Sequence, residues 1–425
     1  MSFAGPNLIW GERAERGKEM DGPGRKSVVV AGWASIILFV YFCAVVADYM
    51  IGVVSDQQLI SSLSKYRKSQ QAEFQREISE DARFISQAKA EGYKPMLFPT
   101  LYDREGWTDL AKTHGIAPLA AQPDTDLYFC NEGYGLIKYH SDRFGFRNED
   151  ALWDQESVDG VLVGDSFGQG ACVGFEQSIV GRLAQHETRV INLSSIGNNP
   201  IHYASILRVF GQKIKFKHLI VLFYANDNIE NEEYTIFNKF FIERDALYFQ
   251  DSSDAQSRIT LSENVKKLYA ASEREIDSYI ARQAHVDPTI EIDRKIKAIE
   301  EKNKYPNLFL NNIRQGLLSI YQGATGTQLP YSSRLAIDIA LTTCKTGGCH
   351  PLFLYIPNSD YWRPDSRARS YASGLRQYVE SRGARFVDLT LDLALLGESA
   401  YARTGPHLSP DGYGAVANRL RAEMN

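Results

Sequence analysis

The sequence lacks the features of a nucleic-acid-binding protein. Its formal net charge is −5 and its isoelectric point is near 6.0. It has no basic stripe and no zinc-finger, helix-turn-helix or aromatic-basic RNA signature. Internal repeats and low-complexity tracts are also absent. The 425 residues, 44% of them hydrophobic and 23% charged, are typical of a globular protein, and no nucleic-acid partner is expected.

Cysteine is scarce, with five residues in the chain. Cys43 lies in an apolar run, which leaves Cys130, Cys172, Cys344 and Cys349 as an even number elsewhere. The segment 344–349 is short and contains two glycines, so we predict a disulfide between its ends if this part of the chain is exported. Two free thiols are the alternative. A zinc site is not expected because no second pair of closely spaced cysteines exists.

Long hydrophobic runs are limited to one stretch, residues 28–47, which has no charged residue. As a helix, its 20 residues just span the roughly 30 Å hydrocarbon core of a bilayer. A cleaved signal peptide is the alternative, but its apolar region is normally about 7–15 residues long. Five basic residues precede the stretch, so the positive-inside rule predicts a cytoplasmic amino terminus. We expect a single-pass protein of a bacterial inner membrane whose main domain is periplasmic.

The rest of the chain predicts an α/β fold. Apolar strand candidates at 160–164, 189–193, 218–224, 351–356 and 385–389 alternate with helical segments, as in a parallel sheet covered on both faces. The predicted organisation is a cytoplasmic tail (1–26), a transmembrane helix (27–54), a stalk helix with a connecting segment (55–157), and a domain over 158–425. Strands three and four are too far apart for one crossover, so we predict a helical insertion at about 231–345.

Ser166 is the candidate nucleophile. It stands in the turn Gly164-Asp165-Ser166-Phe167 at the end of the first predicted strand, the edge at which open α/β sheets bind ligands. The same turn satisfies the Gly-x-Ser-x-Gly elbow of α/β-hydrolases. That fold, however, has several strands before its elbow, and here the serine follows the first.

Three more residues are candidates for the site. Gly197 and Asn226 follow the second and third predicted strands, and His407 lies in the loop that leads into the last helix. Acyl transfer to a serine needs a base for its proton and donors for the developing oxyanion. His407 is the candidate base. The backbone N–H groups of Ser166 and Gly197 and the side-chain amide of Asn226 are the candidate oxyanion donors.

With these four blocks in this order, the sequence from about residue 158 to the carboxyl terminus resembles the SGNH, or GDSL-type, hydrolase family. The resemblance implies a flavodoxin-like three-layer sandwich with a five-stranded parallel sheet of order 2-1-3-4-5. The upstream Asp-Arg-Phe-Gly-Phe-Arg-Asn motif and the anchor resemble the membrane-tethered bacterial branch of that family, which works on envelope polysaccharides.

Two positions depart from the family pattern. Tyr224 stands where the third block normally has glycine, and Thr404 stands where the acid normally precedes the histidine by three residues. A catalytic histidine needs a partner that orients its ring. Asp388 and Asp360, at the ends of strands five and four, are the candidate acids, and a Ser166–His407 dyad assisted by a backbone carbonyl is the alternative.

Two functions of different classes follow. The first is a serine esterase or O-acyltransferase acting on acyl, chiefly acetyl, esters of an envelope polysaccharide or glycolipid, with no cofactor or metal. The second is a catalytically weak SGNH domain that serves as a carbohydrate-binding or scaffolding subunit of a polysaccharide export or modification machine. The missing acid at Thr404 and the altered third block, in which Tyr224 replaces glycine, favour the second. The intact residues Ser166, Gly197, Asn226 and His407 favour the first.

Overall fold

A single long helix opens the structure. The computed structural model describes residues 23–97, 119–228, 329–358, 366–402 and 405–424, together with 267, 269–270, 288–304, 306, 308–314 and 317. Helix α1, Pro23–Ala90, joins the predicted anchor and stalk into one element of 68 residues. Over Gly32–Lys65 it is long and apolar enough to cross a membrane, judged by length and composition. Its apolar side chains there are largely exposed, as expected for a surface that faces lipid.

A small three-stranded sheet follows the long helix. Strand β1, Lys94–Pro95, pairs in parallel with β2, Asp126–Tyr128, and β2 pairs antiparallel with β3, Lys138–His140. The loop between β2 and β3, residues 129–137, carries Cys130 and Glu132. Both residues become important at the candidate active site.

The central sheet has five parallel strands, as predicted. They run in the order β5-β4-β6-β7-β8, which is the predicted 2-1-3-4-5. Their central residues are almost fully buried because helices cover both faces, which explains why each strand reads as a continuous apolar run. The strand bounds are Ser157–Val163 (β4), Val190–Asn192 (β5), Lys215–Tyr224 (β6), His350–Ile356 (β7) and Arg385–Asp388 (β8).

Helices connect the strands and form the outer layers. The second-longest, α6, packs on α4, and the last, α9, packs on α3 and α8. The bounds are Ser166–Gln169 (α2), Ile179–Ala184 (α3), Pro200–Phe210 (α4), Pro288–Lys302 (α5), Tyr331–Gly347 (α6), Ser366–Glu380 (α7), Thr390–Ala394 (α8) and Pro410–Met424 (α9).

The end of α6 carries the predicted disulfide. Cys344 and Cys349 are bonded, with an S–S distance of 2.01 Å. The bridge ties the last turn of α6 to the loop before β7, and Gly348 between them adopts a φ of +73° that favours glycine. The disulfide prediction is therefore confirmed.

The predicted insertion divides into two parts of different character. Helix α6 overlaps the end of the predicted range of 231–345, yet it packs on α4 and on β6 and β7 and is the crossover helix that leads to β7. Helix α5 lies instead along α1, where Arg67 and Asp293 form an ion pair. The predicted domain boundaries themselves remain predictions.

Candidate active site

The turn that carries Ser166 is built by its neighbours. Strand β4 ends at Val163, and the Asp165 carboxylate caps α2 by accepting a hydrogen bond from the Phe167 N–H at 2.9 Å. Gly170 ends this short helix with a φ of +74°, a conformation that favours glycine. Ser166, the first residue of α2, is 8% exposed. Within the described part of the chain no hydrogen bond joins its hydroxyl to His407 or to another group, so the contact between nucleophile and base remains a prediction.

Gly197 and Asn226 follow the two strands that flank β4. Val163 pairs with Val221 of β6, and Leu162 pairs with Asn192 of β5, so the loops after all three strands emerge at one edge of the sheet. Gly197 has a φ of +75°, which favours glycine. Asn226 is exposed in the 3-10 turn after β6. Convergence of these donors on one oxyanion position remains a prediction.

His407 lies beside the Ser166 turn and is held by a carboxylate. Its ring centroid is 5.2 Å from that of Phe167, the residue after Ser166. Its Nδ1 is 2.7 Å from Glu132 Oε1, and its backbone N–H donates to Glu132 Oε2 at 3.2 Å. Both side chains are buried. Because the carboxylate accepts from Nδ1–H, the other ring nitrogen, Nε2, carries the lone pair that a general base needs.

Glycine at position 405 makes room for this carboxylate. A Cβ atom built on Gly405 would lie 1.8 Å from the Glu132 carboxyl carbon. Contacts below 3.0 Å do not occur for real Cβ atoms, so any larger residue would displace Glu132 from the His407 loop. The glycine two residues before His407 is thus a structural requirement of the Glu132–His407 pair.

A second disulfide holds the Glu132 loop in place. Cys130 and Cys172 are bonded with an S–S distance of 2.06 Å, and Cys172 Sγ lies 3.5 Å from His407 Nδ1. The bridge joins the loop after β2 to the segment after α2, across 42 residues of sequence. On the chain-entropy view such a loop closure stabilises the fold by about 4 kcal/mol. It also fixes the distance between Glu132 and the Ser166 turn.

Glu132, Cys172 and His407 form a cluster that resembles a metal site in its donor atoms. The Cys172 sulfur, however, is bonded to Cys130 and is no thiolate. The remaining two donor atoms hydrogen-bond each other directly at 2.7 Å. The cluster is therefore better explained as a histidine with its carboxylate partner.

Asp388 does not supply the acid, contrary to one of our two expectations. Its carboxylate accepts a hydrogen bond from the Thr390 N–H at 3.0 Å and pairs with Arg376 at 3.5 Å, so it caps α8 instead. The carboxylate that contacts His407 Nδ1 is that of Glu132. The other candidate acid, Asp360, and the Thr404 position lie outside the described residues.

Arg147, in the Asp-Arg-Phe-Gly-Phe-Arg-Asn motif upstream of β4, forms hydrogen bonds with the loop that contains Cys172. Arg147 is buried, and its guanidinium donates to the carbonyl oxygens of Gly170 and Val173 at 2.8 and 2.9 Å. Burial lowers the pKa of this guanidinium. Cys172, between the two carbonyls, has a φ of +60°, which is unfavourable for a residue with a side chain. The arginine thus holds a strained turn whose cysteine anchors the Glu132 loop.

Tyr224, the departure from the family pattern, has a packing role. Its ring stacks on Phe167 with centroids 3.9 Å apart and an interplanar angle of 23°. The phenyl ring of Phe167 thus contacts the rings of both Tyr224 and His407. The contact with Tyr224 stabilises the turn that carries Ser166.

Two buried carboxyl groups lie beneath the site. Asp165 belongs to the Ser166 turn, and Asp227 accepts hydrogen bonds from the Tyr224 N–H at 3.0 Å and the Tyr203 hydroxyl at 3.1 Å. Burial raises the pKa of Asp165 to about 6. Burial, reinforced by the negative charge of Asp165, raises the pKa of Asp227 well above its ordinary value. The raised pKa favours the protonated form of Asp227.

The variant Asp227→Asn tests this protonation. A carboxyl whose folded pKa is raised stabilises the fold fully only below its unfolded pKa of about 3.9, and stability falls as the pH rises above that value. An amide has no such titration. We expect the variant to unfold at an equal or higher temperature than the wild type at pH 7, with the difference shrinking toward pH 4. Thermal unfolding across this range is the measurement, and equal destabilisation at every pH would contradict the proton assignment.

Two solved structures show distant likenesses to the chain. No family model and no curated protein matches the chain. Among solved structures, an α/β-hydrolase enzyme from the metagenome of Lake Arreo, Spain, is 14% identical, with a TM-score of 0.33 over 64% of this chain and 97% of that one. A lipolytic protein of the G-D-S-L family from Desulfitobacterium hafniense DCB-2 is 11% identical, with a TM-score of 0.30 over 63% and 100%. Likenesses at these TM-scores carry no argument about function, which rests on the residues of the site.

Glu132 and the Cys130–Cys172 bridge were absent from our expectations. One signal for them was present in the sequence. Once Cys344 and Cys349 pair, Cys130 and Cys172 are the remaining cysteines outside the apolar run, and their bonding brings the Glu132 segment to the Ser166 turn. Both predicted acids, Asp388 and Asp360, lie at strand ends, whereas Glu132 lies in the loop between β2 and β3 of the small sheet.

Proposed function

We propose that this protein is a membrane-anchored serine esterase or O-acyltransferase that acts on acyl esters of an envelope polysaccharide. The observation that carries the proposal is the buried Glu132 carboxylate at His407 Nδ1, in a loop whose histidine ring lies beside the Ser166 turn. A carboxylate, an imidazole and a serine in this order are the components of nucleophilic acyl transfer.

The proposed reaction has two halves. Ser166 Oγ attacks the ester carbonyl and passes its proton to His407 Nε2, and the same proton then goes to the departing alkoxide. Water or a sugar hydroxyl next gives its proton to Nε2 and attacks the acyl-serine, and Ser166 recovers the proton as its bond to the acyl group breaks. Glu132 keeps its hydrogen bond to Nδ1 throughout and stabilises the imidazolium.

Backbone and amide donors complete the proposed site. The negative charge that develops on the carbonyl oxygen needs preformed donors about 3 Å away. The N–H groups of Ser166 and Gly197 and the Asn226 side chain stand at the same sheet edge and fit this role. The exposed position of Asn226 leaves its amide free to turn toward a bound ester.

The length of α1 favours a polymer as substrate over a lipid of the anchoring membrane. From Asp48 to Ala90 the helix rises about 63 Å at 1.5 Å per residue, and β1 begins four residues later. The sheet is therefore held well away from the end of the apolar stretch. Of the two substrate classes expected from sequence, the polysaccharide suits this reach better than the glycolipid.

Two disulfides agree with a domain in an oxidising compartment. Cys130–Cys172 and Cys344–Cys349 both lie beyond the apolar stretch, whereas Cys43 within it is free. Disulfides persist in the bacterial periplasm and are rare in the cytosol. They support the periplasmic placement proposed from the charge pattern before residue 28.

The competing proposal of a non-catalytic binding subunit loses its main support. That alternative was based on the absence of an acid at Thr404 and on Tyr224 in the third block, and Glu132 supplies a carboxylate to His407 by another route. The residues Ser166, Gly197, Asn226 and His407 favour catalysis as before.

Ester turnover by the purified full-length protein tests the proposal. Release of p-nitrophenol from p-nitrophenyl acetate measures acyl-enzyme formation, and release of acetate from O-acetylated polysaccharide measures the proposed natural reaction. Adding an unacetylated oligosaccharide separates transfer from hydrolysis, since transfer yields an acetylated sugar. If neither substrate is turned over above the rate of the Ser166→Ala variant, the catalytic proposal is wrong.

Asn226→Ala is expected to lower kcat by about 10²–10³-fold, because removal of one oxyanion donor has this cost in serine hydrolases. The side chain is exposed in the structure, so folding should not change. The unfolding temperature serves as the control, and kcat for p-nitrophenyl acetate is the measurement. A loss smaller than threefold would exclude Asn226 from the oxyanion site.

A further inference from the structure

A helical hairpin descends along α1 toward the apolar stretch. Successive positions of α5 contact positions of α1 that lie closer and closer to its amino terminus. Asp293 pairs with Arg67, and Lys302 pairs with Asp56 at 3.2 Å. Leu310 then adopts a φ of +52°, a turn conformation. We call residues 302–304, 306 and 308–314 the tip segment.

The tip segment is fastened to α1 by polar side chains of that helix. The Tyr41 hydroxyl donates to the Leu308 carbonyl, and the Tyr49 hydroxyl donates to the Asn303 carbonyl at 3.1 Å. The buried Asp48 carboxylate accepts from the Ile313 N–H at 2.6 Å.

Asn312 adds a further link, donating from its amide to Asp48 at 3.2 Å. A Cβ on Gly52 would lie 2.4 Å from the same amide nitrogen, so a larger residue there would shift the Asn312 side chain.

The tip segment exposes large apolar side chains at the level of the apolar stretch. Leu308 is 63% exposed and Phe309 is 76% exposed. Tyr41, which contacts Leu308, lies six residues before Ala47, the last residue of the uncharged run, or about 9 Å along the helix. If residues 28–47 span the hydrocarbon core, Leu308 and Phe309 are within its outer part.

The polar pattern of the tip segment matches such a position. Backbone groups in hydrocarbon need internal partners. Tyr41, Tyr49 and Asp48 of α1 are partners for three of them, the carbonyls of Leu308 and Asn303 and the N–H of Ile313. The segment 302–314 also has three basic residues, Lys302, Lys304 and Arg314, and no acidic one. Because Lys302 is paired with Asp56 of α1, Lys304 and Arg314 are the basic side chains that would attract an anionic lipid headgroup beside the apolar tip.

A cavity at the same place completes the surface. It has a volume of about 320 Å³, and its lining includes Lys302, three asparagines, Leu308 and Phe309. The combination of a cation and amides with an apolar wall suits an anionic phospholipid, whose headgroup and acyl chain require both.

We propose that the tip segment is a second membrane contact, in which Leu308 and Phe309 insert into the bilayer that α1 spans while the basic residues bind anionic phospholipid. The inference rests on the membrane-anchor part of the proposed function and is independent of the chemistry at Ser166. Two contacts in place of one would stop α1 from rotating freely and so fix the direction in which the sheet domain faces.

Fluorescence quenching in lipid nanodiscs tests the inference on the full-length protein. Single cysteines replace Phe309, Leu308, Val40 or Leu395 in a Cys43→Ser background and carry an environment-sensitive fluorophore. The other four cysteines are in disulfides and do not react. Val40 reports on the anchor, and Leu395, which is 89% exposed on the sheet domain, is the matched control. The nanodiscs contain phosphatidylcholine and phosphatidylglycerol with a doxyl group on the acyl chain.

We expect loss of fluorescence at positions 309, 308 and 40 and none at 395. A doxyl group near the headgroup end of the chain should quench position 309 more than one at the tail end. Bright labels at both 308 and 309 with a quenched label at 40 would overturn the inference and leave the anchor intact. A bright label at 40 would overturn the anchor and the inference together, and ester turnover would still test Ser166 separately.

The headgroup preference has its own comparison. At equal mole fractions, doxyl on phosphatidylglycerol should quench position 309 more strongly than doxyl on phosphatidylcholine, because anionic lipid gathers at the basic residues. Equal quenching by the two would overturn the proposed anionic lipid.

Discussion

Replacing Ser166 with alanine should reduce ester turnover by about 10⁶-fold in kcat, to the residual rate that oxyanion donors and substrate binding alone provide. The substitution removes one hydroxyl that has no hydrogen-bond partner among the described residues, so the fold should be unaffected. The measurement is steady-state hydrolysis of p-nitrophenyl acetate by the full-length protein, with unfolding temperature recorded in parallel.

Ser195→Ala is the matched control for that variant. Ser195 is also a buried serine after a neighbouring strand, and its hydroxyl has no partner in the described structure. It should retain wild-type turnover. Equal loss in both variants would mean that the effect comes from disturbing the sheet edge, and retention of activity in Ser166→Ala would remove Ser166 as nucleophile.

Replacing Glu132 with glutamine should lower kcat by about 10²–10⁴-fold, the second-largest effect. A glutamine amide can donate to His407 Nδ1, where the carboxylate accepts. The ring proton would then sit on Nε2, and the imidazole could not take the proton of Ser166. The measurement is kcat with KM, and the loss should fall on kcat because Glu132 contacts the histidine and not the substrate.

Two further variants separate this role from a structural one. Asp388→Asn removes an acid that was predicted because it lies at the end of a strand. Asparagine can still accept the hydrogen bond at the start of α8, so activity should be retained. Gly405→Ala keeps Ser166, His407 and Glu132 but displaces the Glu132 carboxylate, so kcat should fall as in Glu132→Gln. Loss of activity in Asp388→Asn with retention in Glu132→Gln would reverse the assignment of the acid.

The sheet could be predicted because its signals are local. Each strand of the central sheet is a short apolar run that helices cover on both faces, and the turn after β4 contains its own capping aspartate and glycines. The strand order followed from the resemblance of four short blocks.

The acid could not be predicted because its contact with His407 is non-local. Glu132 and His407 are 275 residues apart in the sequence. The Cys130–Cys172 disulfide and the space beside Gly405 allow them to meet. No periodicity marks such a pair. The packing of α5 along α1 could not be predicted either, because the apolar face of a helix does not identify the element that packs against it.

Covalent labelling with a fluorophosphonate probe tests the central claim most directly. The probe reacts only with a serine that a base activates, so it reports the Ser166–His407–Glu132 arrangement without any assumption about substrate. The account predicts one adduct per chain, mapped by mass spectrometry to the peptide containing Ser166, absent in Ser166→Ala and formed much more slowly in Glu132→Gln. An unmodified chain, or an adduct on any other serine, would contradict it.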